Sequence, residues 1–223
     1  MKDLTLLIPA KQEAGSLPLV LDELKNYNCT KLIVLSKEDV ETIEAIKKYD
    51  CKIFYQKTNG YGSALIEGIN EINTDYLCIF NADGSFDPIN LNQMLEKCKR
   101  GNDFVFASRY SLGGSTKDDT FITFIGNKIF SSIGKIFFSL NIDDILFTYV
   151  LGKTNSFKNL KLKNIDFSFC VELPIKAKRN KMKSVNIGSV ERKRLKGFKK
   201  VNEFKDGFLI LMELLRLFFS KKD

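Results

Sequence analysis

The side chains best suited to chemistry sit in one short stretch, Asn81-Ala82-Asp83-Gly84-Ser85-Phe86-Asp87-Pro88. It follows Tyr76-Leu77-Cys78-Ile79-Phe80, an apolar run that reads as a buried strand. Pro88 suits the first turn of a helix, where its missing N–H costs nothing. Asp83, Ser85 and Asp87 therefore fall on the loop at a strand's carboxyl end, where open α/β sheets bind ligands. A carboxylate beside a hydroxyl suits a hard divalent cation, and such a cation can hold a diphosphate. The same spacing also fits a plain turn in which Asp caps the next helix.

Composition narrows the chemistry. Histidine is absent, which removes Ser–His and Cys–His nucleophile pairs and His-ligated metals. Carboxylates, Lys, Arg and Tyr are left. Cys29, Cys51, Cys78, Cys98 and Cys170 are scattered without a CxxC spacing. They read as reduced thiols of a cytoplasmic protein, not as a zinc site or disulfide frame. The formal charge is +8, and between Lys176 and Lys200 eleven Lys/Arg face one acid, Glu191. Such a cluster favours phosphates. No aromatic interleaving or known binding module accompanies it, so nucleic acid is not an expected partner.

The elements that must hold these residues follow from periodicity. Strands are expected at Leu4–Pro9, Lys31–Ser36, Lys52–Tyr55, from Tyr76, and at Asp103–Ser108. Helices open at Ser16-Leu17-Pro18, near Val40, and after the turn Thr58–Ala64. This alternation predicts an α/β fold with a mostly parallel, doubly wound sheet flanked by helices. At 223 residues, 44% hydrophobic, the chain can bury one sizeable core. No run of about 18 uninterrupted apolar residues occurs, so no ordinary membrane span is expected. The apolar run ending at Pro9 is too short for a signal peptide.

Two later helices are amphipathic. From Thr120, polar Thr123, Asn127, Ser131, Lys135 and Ser139 recur every four residues among Phe, Ile and Leu. The wide apolar face is expected to pack on the sheet, with a membrane or partner contact as the alternative. Phe204 to Phe219 is apolar almost all round, with Glu213, Arg216 and Ser220 as a thin polar stripe. It suits a bilayer interface, with Lys221 and Lys222 at the headgroups, or a dimer or core helix. Residues 1–202 are thus expected as the main domain and 203–223 as an amphipathic C-terminal helix.

Taken together, these stretches resemble the family 2 glycosyltransferases, in the branch like dolichol-phosphate mannose synthase. Ile8-Pro9-Ala10-Lys11-Gln12-Glu13-Ala14 looks like that family's opening, and Asn59-Gly60-Tyr61-Gly62-Ser63-Ala64 is similar to its glycine loop. Asn81 to Pro88 matches its D-A-D-G-S-x-D-P motif except at the first position. Ala107-Ser108-Arg109-Tyr110 with Gly113-Gly114, then Phe169-Cys170-Val171-Glu172-Leu173, and finally Arg194, Gly197 and Lys200 complete a collinear set. The resemblance implies a type-A glycosyltransferase fold and metal-dependent, inverting transfer from a nucleotide-diphosphate sugar. The implied acceptor is a polyprenyl phosphate or other membrane-associated glycan acceptor. The implied location is peripheral, on the cytoplasmic membrane face, with a homo-oligomer possible.

By the same resemblance, Pro9 and Glu13 would receive the nucleotide, and Gly60, Gly62 and Asn81 would border the donor. Asp83, with Ser85, would hold Mg²⁺ or Mn²⁺ against the diphosphate. Arg109, Arg194 and Lys200 would bind phosphates. Glu172 would be the base if the acceptor were a hydroxyl. Three departures stand out. Leu35-Ser36-Lys37-Glu38-Asp39 lacks an acidic pair directly after the second strand, Asn81 replaces a carboxylate, and Thr148 replaces a glycine. They keep open a non-catalytic binding subunit of the same fold. A sugar-activating nucleotidyltransferase is suggested by Ile8-Pro9-Ala10-Lys11 alone, but Gln12-Glu13-Ala14-Gly15-Ser16 lacks the Arg of a triphosphate loop.

Overall fold

β1 (Leu4–Pro9) and β4 (Tyr76–Ile79) pair in parallel at the centre of the sheet, with Leu7 opposite Ile79. Their carboxyl ends therefore release Pro9 and Asn81 side by side. The computed structural model describes residues 1–198, 200 and 202–220. After β1 come α1 (Leu17–Leu24), β2 (Thr30–Leu35), α2 (Val40–Ile46), β3 (Lys52–Tyr55) and α3 (Tyr61–Glu71), leading into β4. A 3-10 turn (Pro88–Asn90), α4 (Leu91–Lys99), β5 (Phe104–Ser108), β6 (Ser115–Thr116) and α5 (Phe121–Phe138) follow. β7 (Val150–Lys153), α6 (Thr154–Asn159), α7 (Phe169–Arg179), β8 (Ser184–Gly188), β9 (Val190–Glu191) and α8 (Glu203–Phe219) complete the chain.

The main sheet runs β3-β2-β1-β4-β7-β5-β8, and only β7 is antiparallel to its neighbours. The order reverses between β1 and β4, so the connections diverge there and leave a crevice at the strand ends. Side-chain alternation divides each strand between two cores. Leu7, Val34, Ile79 and Phe106 face one, with α3, α6, α7 and the inner side of α8. Leu6, Ile8, Ile33 and Phe80 face the other, with α1 and α4. Beneath the β4 loop, Phe86 stacks on Tyr149 at 4.7 Å, and the Tyr149 hydroxyl donates to the Asp87 carbonyl at 2.9 Å.

The sequence pattern missed β7. It has four residues, and Gly152 in it is required by crowding: a Cβ there would lie 2.7 Å from the Asp103 carbonyl oxygen and 2.5 Å from the Phe104 ring.

The helix from Thr120 is present, but its orientation reverses the expectation that its apolar face packs on the sheet. Asn127, Ser131 and Gly134 are the buried positions, whereas Phe121, Ile122, Ile125, Ile129, Ile136 and Phe137 are exposed. Local polar partners decide it. Asn127 donates to the Tyr110 hydroxyl at 3.0 Å, and Ser131 accepts from the Ile145 N–H at 3.2 Å. By length and composition α5 could also cross a membrane, although its apolar residues are interrupted.

α8 uses Ile210, Leu214 and Leu217 to join the core and leaves Phe204, Phe208, Leu211, Met212, Leu215 and Phe219 exposed. Glu213 does not belong to an outer polar stripe. It is buried and held by Arg216 through two 2.7 Å hydrogen bonds. Lys221 and Lys222 lie outside the described residues.

Candidate active site

Glu13 emerges just beyond β1 and is buried. Its backbone N–H donates to Thr42 Oγ1 at 2.9 Å, and its carboxylate accepts from Ser16 Oγ at 2.5 Å. Lys200 pairs with the same carboxylate. Across the crevice, Asp83 accepts the Ser85 N–H on Oδ1 at 2.9 Å, and Asn81 Nδ2 donates to Ser85 Oγ at 3.2 Å. Arg194 bridges the two loops, with Nη2 2.9 Å from Asp83 Oδ2 and Nη1 3.5 Å from Glu13 Oε1.

The segment that carries Arg194 lies over the β4 loop like a strap. Leu195 N–H donates to the Asp83 carbonyl and Arg192 N–H to the Ser85 carbonyl, each at 2.8 Å. Arg192 also ties Glu23 to the carbonyls of Gly84 and Phe86. Gly84 sits at φ +82° with the Leu195 side chain against its α-carbon, so a larger residue would be strained and would clash.

These groups share a cavity of about 710 Å³. Pro9, Glu13, Gly60, Asn81, Asp83, Ser85, Arg109, Arg194 and Lys200 all line it. Another part of its wall is apolar, from Ile122, Phe130, Leu146, Phe167 and Ile210. The structure thus brings together most of the residues singled out in the sequence. Gly62 and Glu172 stand outside that lining.

Glu172 departs from the expected role of general base. It is fully buried, accepts the N–H groups of Lys163 and Asn164 at 3.0 and 2.9 Å, and pairs with Lys176 at 2.8 Å. Its oxygens are taken up by protein donors, and the residue is not part of the cavity lining. Instead it anchors the loop 163–166. Gly60 and Gly62 receive that loop, since a Cβ at either would come within 2.1 Å of the Ile165 or Asn164 carbonyl oxygen. The three residues together place Asp166 and Phe167 on the cavity wall.

Arg109 departs as well. Its guanidinium was expected on a phosphate but is surrounded by protein carboxylates. It makes bonds of 2.7 and 2.8 Å to Asp144 and 3.3 Å contacts to Asp119 and Glu191, and it lies 4.9 Å over the Phe147 ring. Burial works against its charge, but Asp144 and Glu191 outweigh burial and raise its pKa. Burial raises the Glu191 pKa from its ordinary value, an effect that Arg109 only partly offsets.

Several cavity residues carried no recognised signal. Asp39 lines the wall with Ser36, where an acidic pair was missing directly after β2. It caps α2 and accepts the Gln12 N–H at 2.6 Å. Its position three residues on, Ser36-Lys37-Glu38-Asp39, was the available clue. Asp119 and Asn127 come from a long loop and from the unexpected face of α5, and nothing local marks them.

Among the described residues no cluster of three or more His, Cys, Asp or Glu could hold a metal alone. A single well-oriented carboxylate does fit a cation that arrives with phosphates, because Mg²⁺ commonly takes one or two carboxylates plus substrate oxygens and water. Asp83 has such a carboxylate, its Oδ2 already facing a positive charge, the Arg194 guanidinium at 2.9 Å.

Residues 5–161 match the family described as Glycosyl transferase family 2. The chain belongs to glycosyl transferase family 2. Glycosyltransferase AglJ of Haloferax volcanii is 21% identical over 217 residues, covering 95% of this chain and 70% of the relative. An uncharacterized glycosyltransferase of Mycobacterium tuberculosis is 28% identical over 111 residues, and the match spans 50% of that relative.

The type-A glycosyltransferase fold is shared with glucosyl-3-phosphoglycerate synthase of M. tuberculosis, solved with Mn²⁺, UDP and glucosyl-3-phosphoglycerate. The TM-score is 0.77 at 11% identity, over 96% of this chain and 79% of that one. The same enzyme solved with Mg²⁺ and UDP aligns with a TM-score of 0.71 at 11% identity, over 96% and 78%. In the family 2 frame, the cavity lies where β1 and β4 end and the strap crosses.

Proposed function

We propose that this family 2 glycosyltransferase moves a sugar from a nucleotide-diphosphate donor to a polyprenyl phosphate or similar membrane-associated acceptor. The carrying observation is the Glu13–Arg194–Asp83 bridge at the mouth of β1 and β4, within a cavity whose further wall is apolar. Glu13 and Asp39, which border the cavity, would hydrogen-bond the nucleoside. Arg194 and Lys200 would turn from carboxylates to the diphosphate, for which their charge is suited. Asp83, with Ser85 and Asn81 beside it, would hold Mg²⁺ or Mn²⁺. Bound there, the cation neutralises charge on the departing diphosphate. The M. tuberculosis structures that share the fold hold UDP with either metal, which supports this reading.

In the proposed step, an acceptor phosphate oxygen attacks the anomeric carbon with inversion. The bond from that carbon to the donor's phosphate oxygen breaks, and the nucleoside diphosphate leaves with the electron pair. A phosphate acceptor is already an anion and needs no base. This suits a cavity without histidine and with Glu172 committed elsewhere. The dolichol-phosphate mannose synthase-like branch and a peripheral position on the cytoplasmic membrane face belong to the same proposal.

A thermal-shift panel of UDP-, GDP- and dTDP-sugars with and without Mn²⁺ tests it. The true donor raises the melting temperature by mass action, only with metal, and only while Asp83 is intact. No stabilisation by any donor would overturn the reading.

A further inference from the structure

Four successive carbonyls of the loop after β4 are held by two residues of the strap. Leu195 N–H takes the Asp83 carbonyl and Arg192 N–H takes that of Ser85. The Arg192 side chain takes the other two, with Nε 3.1 Å from the Gly84 carbonyl and Nη2 2.8 Å from that of Phe86. The guanidinium is itself fixed by the Glu23 carboxylate, which Nη1 and Nη2 meet at 2.6 and 2.8 Å. This two-pronged pairing is directional as well as charged.

An ordinary surface ion pair contributes little. This one differs because the same guanidinium also closes two backbone acceptors. Glu23 stands in the last turn of α1, where the helix dipole disfavours a carboxylate, so the helix alone gives no reason for an acid there. Neither Arg192 nor Glu23 lines the cavity, so any effect of theirs on a ligand there is carried by the loop. The loop so held keeps the Ser85 N–H on Asp83 Oδ1 and leaves Oδ2 facing Arg194.

We propose that Arg192, oriented by Glu23, is a positioning residue for Asp83. It fixes the loop that presents this carboxylate to the donor's metal, and it delivers Arg194, two residues further along the strap, to the same place. Arg192's effect on the metal rests on the role given to Asp83 under the proposed function; its hold on the loop does not.

Hydrogen exchange and a metal titration test it, using Arg192→Met and Arg192→Lys. Arg192 and Glu23 are both partly exposed, so losing the pair strands no buried charge and the variants should fold. Lys keeps the charge, but one ammonium cannot span Glu23 and two carbonyls as a planar guanidinium does. In both variants the amides of Ser85 and Leu195 should exchange at least ~10-fold faster, with those of β1 and β4 unchanged. Mn²⁺ is then titrated against the thermal shift produced by UDP-, GDP- and dTDP-sugars. The half-maximal Mn²⁺ concentration should rise at least ~10-fold in both variants, and saturating Mn²⁺ should bring the shift back to its wild-type size.

A residue that merely supports the fold would speed exchange in β1 and β4 as well and leave the Mn²⁺ requirement unchanged. Either result would overturn the proposal. Wild-type behaviour of Arg192→Lys would overturn it too, since charge and not geometry would then be what matters. If no nucleotide-sugar shifts the wild type, Asp83's metal role and Arg192's part in it fail together, and exchange at Ser85 and Leu195 still decides the hold on the loop.

Discussion

Two arginines border the same cavity and live differently. Arg109 is 7% exposed and has three carboxylates around it, two hydrogen bonds to Asp144 and an aromatic ring against its face. Arg194 is 19% exposed at the side chain and shares one guanidinium between Asp83 and Glu13, which approach from separate loops. The first arrangement is a closed ion cluster, where removing one member strands buried charge. On the proposed function the second is an exchangeable contact, in which a metal would take one partner and a diphosphate the guanidinium. Sequence motif alone had placed both on phosphates. What separates them is how many protein acceptors already surround each.

The contrast can be broken by mutation. The largest effect is expected at the exchangeable pair: Asp83→Ala should lower transfer at least ~1,000-fold, about 4 kcal/mol, with an unchanged circular dichroism spectrum. Full activity in that variant would remove Asp83 from the metal role. Next, Arg109→Met should cost ~3 kcal/mol or more of stability in urea unfolding, because Asp144, Asp119 and Glu191 are left together. Nucleotide-sugar affinity should survive in conditions where the variant is folded. Unchanged stability with lost donor binding would exchange the two arginines' roles.

Arg194→Ala should split by ligand. Mn²⁺ alone should bind several-fold more tightly by calorimetry, since Asp83 gains a bare oxygen, while the nucleoside diphosphate binds roughly 10-fold more weakly for want of a cation. If both affinities fall together, the guanidinium positions Asp83 and does not compete for it.

The smallest effect concerns pH and the closed cluster. Burial, partly offset by Arg109, holds the folded-state pKa of Glu191 above the ordinary 4.5. The native state then binds that proton more tightly than the unfolded chain does. The cost of the buried charge is fully present above the raised value and is relieved as pH falls through it toward about 4.5. Glu191→Gln lacks this term, so its stability relative to wild type should be highest near neutral pH and decline across that window. A difference that is flat with pH in paired unfolding curves would contradict a raised Glu191.

Much of the candidate site around β1 and β4 was readable from sequence because it is local. The apolar run of β1 ends at Pro9, and the turn after β4 bears Asn81, Asp83 and Ser85 within five residues, so strand periodicity and turn chemistry place them together. The remainder depends on distant partners. Arg109 meets Asp144 and Glu191 across 35 and 82 residues, and Glu172 is spent on Lys163 and Asn164 through a fold-back that no periodicity reveals. For α5, the pattern identifies two stripes but not which of them turns inward. Tyr110 and Ile145 settle that by offering hydrogen-bond partners to Asn127 and Ser131, and an apolar face has no comparable anchor.

The antiparallel β7 has a consequence for how the protein is made. β4 and β5 do not touch as a ladder; each pairs with β7, which lies between them. During vectorial synthesis β4 can pair with β1, but its other edge and the facing edge of β5 stay unmet until Val150–Lys153 leaves the ribosome. Fragments ending before that point keep those two facing edges raw and should coaggregate, whereas those ending after Lys153 can join them through β7, leaving the outer edge of β5 for β8.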